Sequence, residues 1–463
     1  MLKTHSIMDD KINKSKHRTS FKNLLVLAFP VILSMLSLNV MQFFDRIFLA
    51  RFDMKHFAAS FPAGIISFTF VSIFLGIAFY VKDMVSQFYG AKKNQECAAS
   101  SWQGIYFSIF TGIIIIASYP LSSKIFVLAG HDPALVPLEK NYFFWMLISG
   151  SITILAQALI GFFYGTSNTK VSMIANVFAN ISNIFFNWVL IFGKFGFPAL
   201  GITGAGIGTT IGQVVCLLIL LSVFFSKKYK NKFNTHTLFK INFKIIEKLI
   251  YFGIPSGIAY FLDVGQWGLF IMLLGKLGEK ALAAANMSIA LESISFLPII
   301  GLAAGTSIIT GQEKGTGKLH NIKKILLKSF FIAFLYDILI LVFFVGIPGF
   351  LILIFKSDQN ALYFNDIKNI TTILIRITGF WLFMDAVRII LTHVLRSLGD
   401  AYFLMIVTLM GGASLTISEY IIINYFNMGL KALWFLIISY TFIMSITLLT
   451  RFLSGKWETI KVI

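Results

Sequence analysis

The chain has 463 residues, 57% of them hydrophobic and 13% charged, and its mean hydropathy is +0.82. Soluble domains carry about 25% charged residues, so this chain has too little polar side chain to coat a soluble globule of its length. The formal net charge of +19 does not make a nucleic-acid binder, because such proteins gather Lys and Arg on one solvated face, whereas here these residues fall between long apolar runs.

The opening residues, MLKTHSIMDDKINKSKHRTSFKN, are basic and polar. A full-length apolar span follows with no small-residue cleavage site, so no cleaved signal peptide is expected. A membrane span needs about 20 mostly apolar residues, because the hydrocarbon core is about 30 Å thick and a helix rises about 1.5 Å per residue. That window predicts spans near 24–48, 57–81, 101–121, 141–165, 171–193, 203–225, 249–274, 282–308, 325–353, 369–394, 402–425 and 430–452. These lengths read as helices, since barrel strands run about 10 residues and open irregular backbone does not face lipid. Cys97 and Cys216 stand in separate apolar contexts with no metal-ligand or CxxC spacing, so neither a disulfide framework nor a metal site is expected.

One set of span ends holds the N-terminal Lys3, Lys11, Lys14, Lys16, Arg18 and Lys22, the 82–93 loop, Lys170, the stretch from Lys227 to Lys248, the 314–328 loop, Arg396 and the C-terminal tail. That is about 26 basic residues against about 10 at the opposite ends, which places both termini in the cytoplasm and requires an even number of crossings.

The longest basic loop falls at mid-chain, and an internal repeat explains why. At an ungapped offset of 225 residues, Pro30 pairs with Pro255, Arg51 with Lys276, Lys55 with Lys280, Ala58 and Ala59 with Ala283 and Ala284, Gly76 with Gly301, Gln87 with Gln312 and Gly90 with Gly315. The expected architecture is therefore twelve transmembrane helices in two pseudo-symmetric six-helix bundles, residues 1–235 and 236–463. Each copy has an even number of spans, so the repeat is parallel. A cleft between the halves, opened to alternate sides, is the expected route for a transported molecule.

Ionisable groups at mid-bilayer are costly and usually mark a pathway. Four acids stand out: Asp45 in span 1, Asp263 in span 7, Glu292 in span 8 and Asp385 in span 10. Each either pairs structurally with a neighbour, as Asp385 can with Arg388 three residues on, or takes part in ion coupling. Coupling requires either an acid that binds and releases a proton, or carboxylates joined by other oxygens into a cage for a hard cation; the sequence leaves H+ and Na+ both open. Asn176, Asn180, Asn183 and Asn187 recur at helical spacing along one stripe of span 5, either as helix-helix glue or as a polar wall. No HExxH, DxD cluster, Ser/His pairing or P-loop is present, so neither an enzyme nor ATP-driven transport by this chain is expected.

Several strings, in order and in both halves, resemble the multidrug and toxic compound extrusion (MATE) transporters, most closely their bacterial NorM-type branch. They are FPVILS, FFDRIFLARF, SQFYGAKKNQE, NIFFNWVLIFGKFGFPALGITGAGIGTTIGQ, GIPSGIAYFLD, LLGKLGEKALAA, PIIGLAAGTSIITGQEKG and MDAVRIILTHVLRSLGD. The resemblance implies an inner-membrane antiporter, acting as a monomer without a cofactor, that exports amphipathic, cationic organic compounds in exchange for H+ or Na+. It implies one coupling cluster at Asp45, Asn183 and Asn187 and another, including any Na+ site, at Asp263 and Asp385. The acids are non-equivalent in the repeat, since Asp45 pairs with Phe270 and Asp263 with Leu38. The chain also departs from the pattern. Asp263 stands where Glu is usual, Trp381 where a Tyr hydroxyl is expected, and Glu292 where Asn is usual, so Glu292 is a candidate oxygen ligand. Phe44, Trp267 and Trp381 are candidates for holding a flat cation. Arg376 and Arg388 are unexpected in a cavity for cations, and Arg388 is counted among the cavity residues. They keep a second expectation alive, a flippase or exporter of a lipid-linked or anionic substrate.

Overall fold

A computed structural model describes residues 20–128, 131–237, 239–356, 364–426 and 428–463. The basic positions Lys3, Lys11, Lys14, Lys16 and Arg18 lie outside them. The described residues form helices and no strand: α1 Phe21–Phe52, α2 Met54–Gly90, α3 Asn94–Ala117, α4 Ser122–Leu128, α5 Val136–Gly165, α6 Thr169–Phe192, α7 Ile202–Phe224, α8 Lys227–Phe233, α9 Phe243–Leu274, α10 Glu279–Gly315, α11 Leu319–Gly346, α12 Pro348–Leu353, α13 Phe364–Ser397, α14 Ala401–Asn424 and α15 Leu430–Leu453. Eleven are long and apolar enough to cross a membrane by length and composition. The remaining long helix, α13, has 34 residues, overlaps the predicted span 369–394 and carries Asp366, Lys368, Arg376, Asp385, Arg388 and Arg396.

The repeat is visible in the helices. Both α2 and α10 have 37 residues, and their ends differ by the same 225 positions. Both run beyond the apolar windows that predicted them. In α2 the window stops near Lys82, but Lys82 and Asp83 form a 3.1 Å ion pair with side chains only 6% and 0% exposed. Charge marks a boundary only where it faces water, and this pair is buried.

The chain forms two compact units. The first holds Pro30–Phe261, Gly315–Gly317 and Val462–Ile463, and the second the described part of Met1–Phe29, Leu262–Lys314 and Lys318–Lys461. Each unit thus takes part of the first helix of the other half. The first unit is built on an apolar cluster that includes Leu75, Ala78, Phe143, Leu147 and Ile154 of α2 and α5. The second has a core of Phe270, Leu374, Trp381, Leu433, Trp434 and Ile437, in which Trp434 Nε1 donates to Thr378 Oγ1 at 3.1 Å.

Between α1 and α2, Asp53 caps α2: its Oδ1 accepts the backbone N–H groups of Lys55 (2.7 Å) and His56 (3.3 Å). These bonds hold its carboxyl below the usual carboxylate range. A depressed carboxylate contributes stability above its unfolded-state value, about 4, and loses it as pH falls through the folded-state value. Asp53→Ala is therefore expected to lower the melting temperature slightly at neutral pH and not at strongly acidic pH. An equal deficit at both pH values in detergent melts would refute the capping role.

Candidate functional site

In the first unit the asparagine stripe of α6 divides by partner. Asn180 Nδ2 donates to Ser37 Oγ at 2.7 Å and Asn176 Oδ1 accepts from Cys216 Sγ at 3.5 Å, which ties α6 to α1 and α7. Asn187 Nδ2 donates to Asp45 Oδ1 at 2.5 Å and to Asn183 Oδ1 at 3.1 Å, and Asn183 Nδ2 donates to Thr209 Oγ1 at 3.0 Å. Asp45, Asn183 and Asn187 are thus one hydrogen-bonded chain across α1, α6 and α7. Asp45 makes no ion pair among the described residues, and its neighbour Arg46 is exposed. Phe44 stands beside it, 37% exposed, with ring centroids 6.1 Å from Phe43 and 5.7 Å from Phe48.

The close approach of α7 makes this chain possible. Gly204, Gly208 and Gly212 recur every four residues along the face of α7 turned to α6, the small-residue spacing that lets membrane helices touch backbone to backbone. A Cβ on Gly208 would lie 1.9 Å from Asn187 Oδ1, and one on Gly204 2.7 Å from the Leu190 carbonyl. At its far end α6 stops at Gly193, whose φ of 67° is in the left-handed region, where glycine carries no Cβ penalty. The fit has a cost, since Asn187 Oδ1 is buried with no hydrogen-bond partner.

The second unit gathers its acids around Arg388. The Arg388 Nε donates to Asp385 Oδ1 at 2.7 Å, one turn away on α13, and Nη1 lies 3.8 Å from Asp263 Oδ1 on α9. The i,i+3 pairing was readable in the sequence, but the reach to Asp263 was not. Glu292 is buried in α10, close enough to feel the charges of Asp385 and Arg388. Arg376 points away, on an exposed face of α13. Among the described residues no cluster of three or more His, Cys, Asp or Glu is arranged to hold a metal ion. A sodium ion placed between Asp263 and Asp385 would have to displace the guanidinium.

Beside this cluster a small cavity is lined by Asp263, Gln266, Trp267, Trp381, Arg388 and Glu419, with Phe270, Leu415, Ile437, Tyr440 and Thr441 completing its wall. Trp381 occupies the place where a tyrosine hydroxyl is expected. Its Nε1 donates to Thr441 Oγ1 at 2.9 Å, so it joins α13 to α15 and offers the cavity an aromatic ring and no oxygen. Trp267 meets Phe270 edge to face, centroids 5.8 Å apart. Two acids missed in the sequence are fully buried in the second unit, Glu419 of α14 in the cavity wall and Asp337 of α11 outside it, each with both carboxylate oxygens unpartnered. A count of every acid inside an apolar run would have found both.

A family model described as MatE matches residues 30–189 and 255–421. Among curated relatives, the chain is 24% identical over 462 residues to a "Probable multidrug resistance protein NorM" of Thermotoga maritima, covering 98% of this chain and 97% of that one. It is 26% identical over 301 residues to the "Multidrug resistance protein NorM" of Vibrio cholerae, covering 65% and 66%. Among solved structures, one described as an outward-facing conformation of a multidrug resistance MATE family transporter of the MOP superfamily superimposes with a TM-score of 0.85 at 17% identity, over 96% of this chain and 99% of that one. A MOP superfamily transporter from Pyrococcus furiosus, described with the words "Reverse polarity of binding pocket suggests different function", superimposes with a TM-score of 0.83 at 18% identity, over 96% and 99%.

Proposed function

Since this chain belongs to the MatE family, we propose that it is an ion-coupled antiporter exporting amphipathic organic cations across the inner membrane of a bacterial cell by alternating access. The observation that carries the reading is the bonding of Asp45. Its hydrogen-bond partner is an amide, Asn187, backed by Asn183 and Thr209. An acid held by neutral donors can gain a proton without stranding a buried positive charge, and can lose it again when a cationic substrate arrives. Ion and substrate then compete for the same carboxylate, which is the free-energy coupling an exchanger needs. The same reasoning favours protons over sodium in the second unit, where Arg388 already fills the space between Asp263 and Asp385. The asymmetry of Lys and Arg supports cytoplasmic termini, and division of labour between residues 1–235 and 236–463 fits their non-equivalent acids.

The test is export of ethidium by everted vesicles, energised separately by a proton gradient and a sodium gradient. The expected result is proton-driven export that falls to the level of vesicles lacking the protein in Asp45→Asn. Undiminished export by a folded Asp45→Asn protein would remove Asp45 from the mechanism, and sodium-driven export would replace the proton. Arg388 in the cavity wall favours a second reading, an anionic or lipid-linked substrate. Two carboxylates share that guanidinium, so the cation reading takes precedence, and transport of an anionic lipid with no movement of ethidium would reverse the order.

A further inference from the structure

The segment that joins the two halves is built as a surface and not as a loose tether. Its helix α8, Lys227–Phe233, turns Tyr229 and Phe233 inward, where they are 4% and 1% exposed and stack with centroids 6.0 Å apart. A spacing of four residues puts both rings on one helical face, packed on Phe162 at 5.9 and 5.0 Å. Lys227, Lys228, Lys230 and Lys232 are left exposed, and Lys232 Nζ also donates to Tyr89 Oη at 3.2 Å. Beyond α8 the chain is pinned back onto α3. Trp102 Nε1 donates to the Thr235 carbonyl at 2.8 Å, and Gln103 bonds the Lys240 carbonyl and the Asn242 N–H, each at 3.1 Å. No acidic residue occurs between Glu139 and Glu247, so the segment carries no carboxylate to neutralise its lysines. Beside them Phe225, Phe239, Ile241 and Phe243 are 45–78% exposed. A soluble polyanion would leave those apolar groups in water. A phospholipid satisfies both kinds of group, its phosphate meeting the lysines and its acyl chains the apolar side chains.

We propose that this segment is a docking surface for anionic phospholipid of the cytoplasmic leaflet. Lys227, Lys228, Lys230 and Lys232 bind headgroup phosphates, while Phe239, Ile241 and Phe243 lie against the acyl chains. The asymmetry of Lys and Arg supports a cytoplasmic position for this end of the spans, and a basic cluster at a membrane boundary is drawn to an anionic leaflet. Fixing the backbone to α3 in advance reduces the ordering that binding would otherwise cost. The proposal goes beyond the export reading and is independent of cargo and coupling ion.

The experiment is native mass spectrometry of the purified full-length protein, titrated with phosphatidylglycerol or with phosphatidylcholine of the same acyl chains. Wild type is expected to bind phosphatidylglycerol about 30-fold more tightly, since each lysine near an anionic surface contributes about fivefold. Combining Lys227→Gln, Lys228→Gln, Lys230→Gln and Lys232→Gln is expected to raise the phosphatidylglycerol Kd to the phosphatidylcholine value. A control with the same loss of charge at the opposite span ends, Lys124→Gln, Lys194→Gln, Lys356→Gln and Lys431→Gln, is expected to stay within about twofold of wild type. The substituted side chains of α8 are exposed, and an unchanged melting temperature checks that the fold is kept. Equal binding of the two lipids by wild type overturns the proposal, as does a four-lysine variant of α8 that keeps the wild-type Kd. Equal losses in the control would assign the effect to net charge and not to this surface. Competition by deacylated glycerophosphoglycerol at the lipid's own concentrations would remove the acyl contacts and overturn the lipid as occupant. Binding of heparin through the same lysines, without any preference between the lipids, would assign the surface to a soluble polyanion instead. Because binding is read without transport, a protein that fails to export ethidium leaves this result standing.

Discussion

Arg388→Met is expected to destabilise the protein by about 3 kcal/mol or more, the scale for breaking a buried ion pair and leaving the partner charge behind. The replacement keeps the length and apolar bulk of the side chain, so the loss is of charge and not of volume. It strands two acids at once: Asp385, 2.7 Å from the guanidinium and 4% exposed, and Asp263 at 3.8 Å. The two contacts do not weigh equally. Asp263 has a side chain 44% exposed, so it recovers some solvation, whereas Asp385 does not. Adding Asp385→Asn to Arg388→Met is therefore expected to return more than half of the lost stability, and adding Asp263→Asn much less. Melting of the four proteins in detergent, followed by the fraction remaining monodisperse, makes the double-mutant comparison. An Arg388→Met protein that melts with wild type would show that the acids are already neutral and that the arginine stabilises neither.

Gly208→Ala is the sharpest test of the first unit. The added methyl would lie 1.9 Å from Asn187 Oδ1 and 2.9 Å from the Asn187 backbone nitrogen, and the second of these is not the far end of a flexible side chain. Either α7 backs away from α6, which breaks the Asn183–Thr209 bond that backs Asn187, or Asn187 rotates off Asp45, which breaks the 2.5 Å bond itself. Overpacking of this kind costs about 1–3 kcal/mol. Proton-driven ethidium export is expected to fall to the Asp45→Asn level. The double variant Gly208→Ala with Asn187→Ala removes the side-chain clash, so it should recover part of the stability without recovering transport. If Gly208→Ala exports normally, the close approach of α7 to Asn187 has no part in coupling. If the double variant exports normally, the amide is dispensable and the packing alone matters.

The scaffold was largely legible before any coordinates, because apolar run length reports burial in lipid directly and the 225-residue repeat needs only alignment of the chain with itself. Helix ends were less so. The window that ended span 2 near residue 81 treated Lys82 as solvated, whereas it pairs with Asp83 inside the unit. Within the sites, residues related by helical spacing could be read: Asn183 with Asn187, and Asp385 with Arg388. Residues joined across helices could not. Nothing local to IAYFLDVGQWG places Asp263 near a base, and nothing local to α7 shows that Gly208 lies under an asparagine amide. Glu419 was missed for another reason. It lies inside the predicted span 402–425, in the run TISEYIIIN and five residues from the end of α14, with no basic or amide side chain at helical spacing to draw attention to it.

The equal lengths of α2 and α10 are the residue of a gene duplication that has kept its ruler and abandoned its chemistry. At the place where the first copy holds Asp45, the second holds Phe270, wedged 5.8 Å from Trp267 and 6.1 Å from Trp434. One ancestral position has become an acid in one copy and a piece of aromatic wall in the other. Descendants of such a gene can change the polarity of that position in one copy without touching its counterpart in the other. Scaffold and polar chemistry then evolve as separate traits on a shared frame.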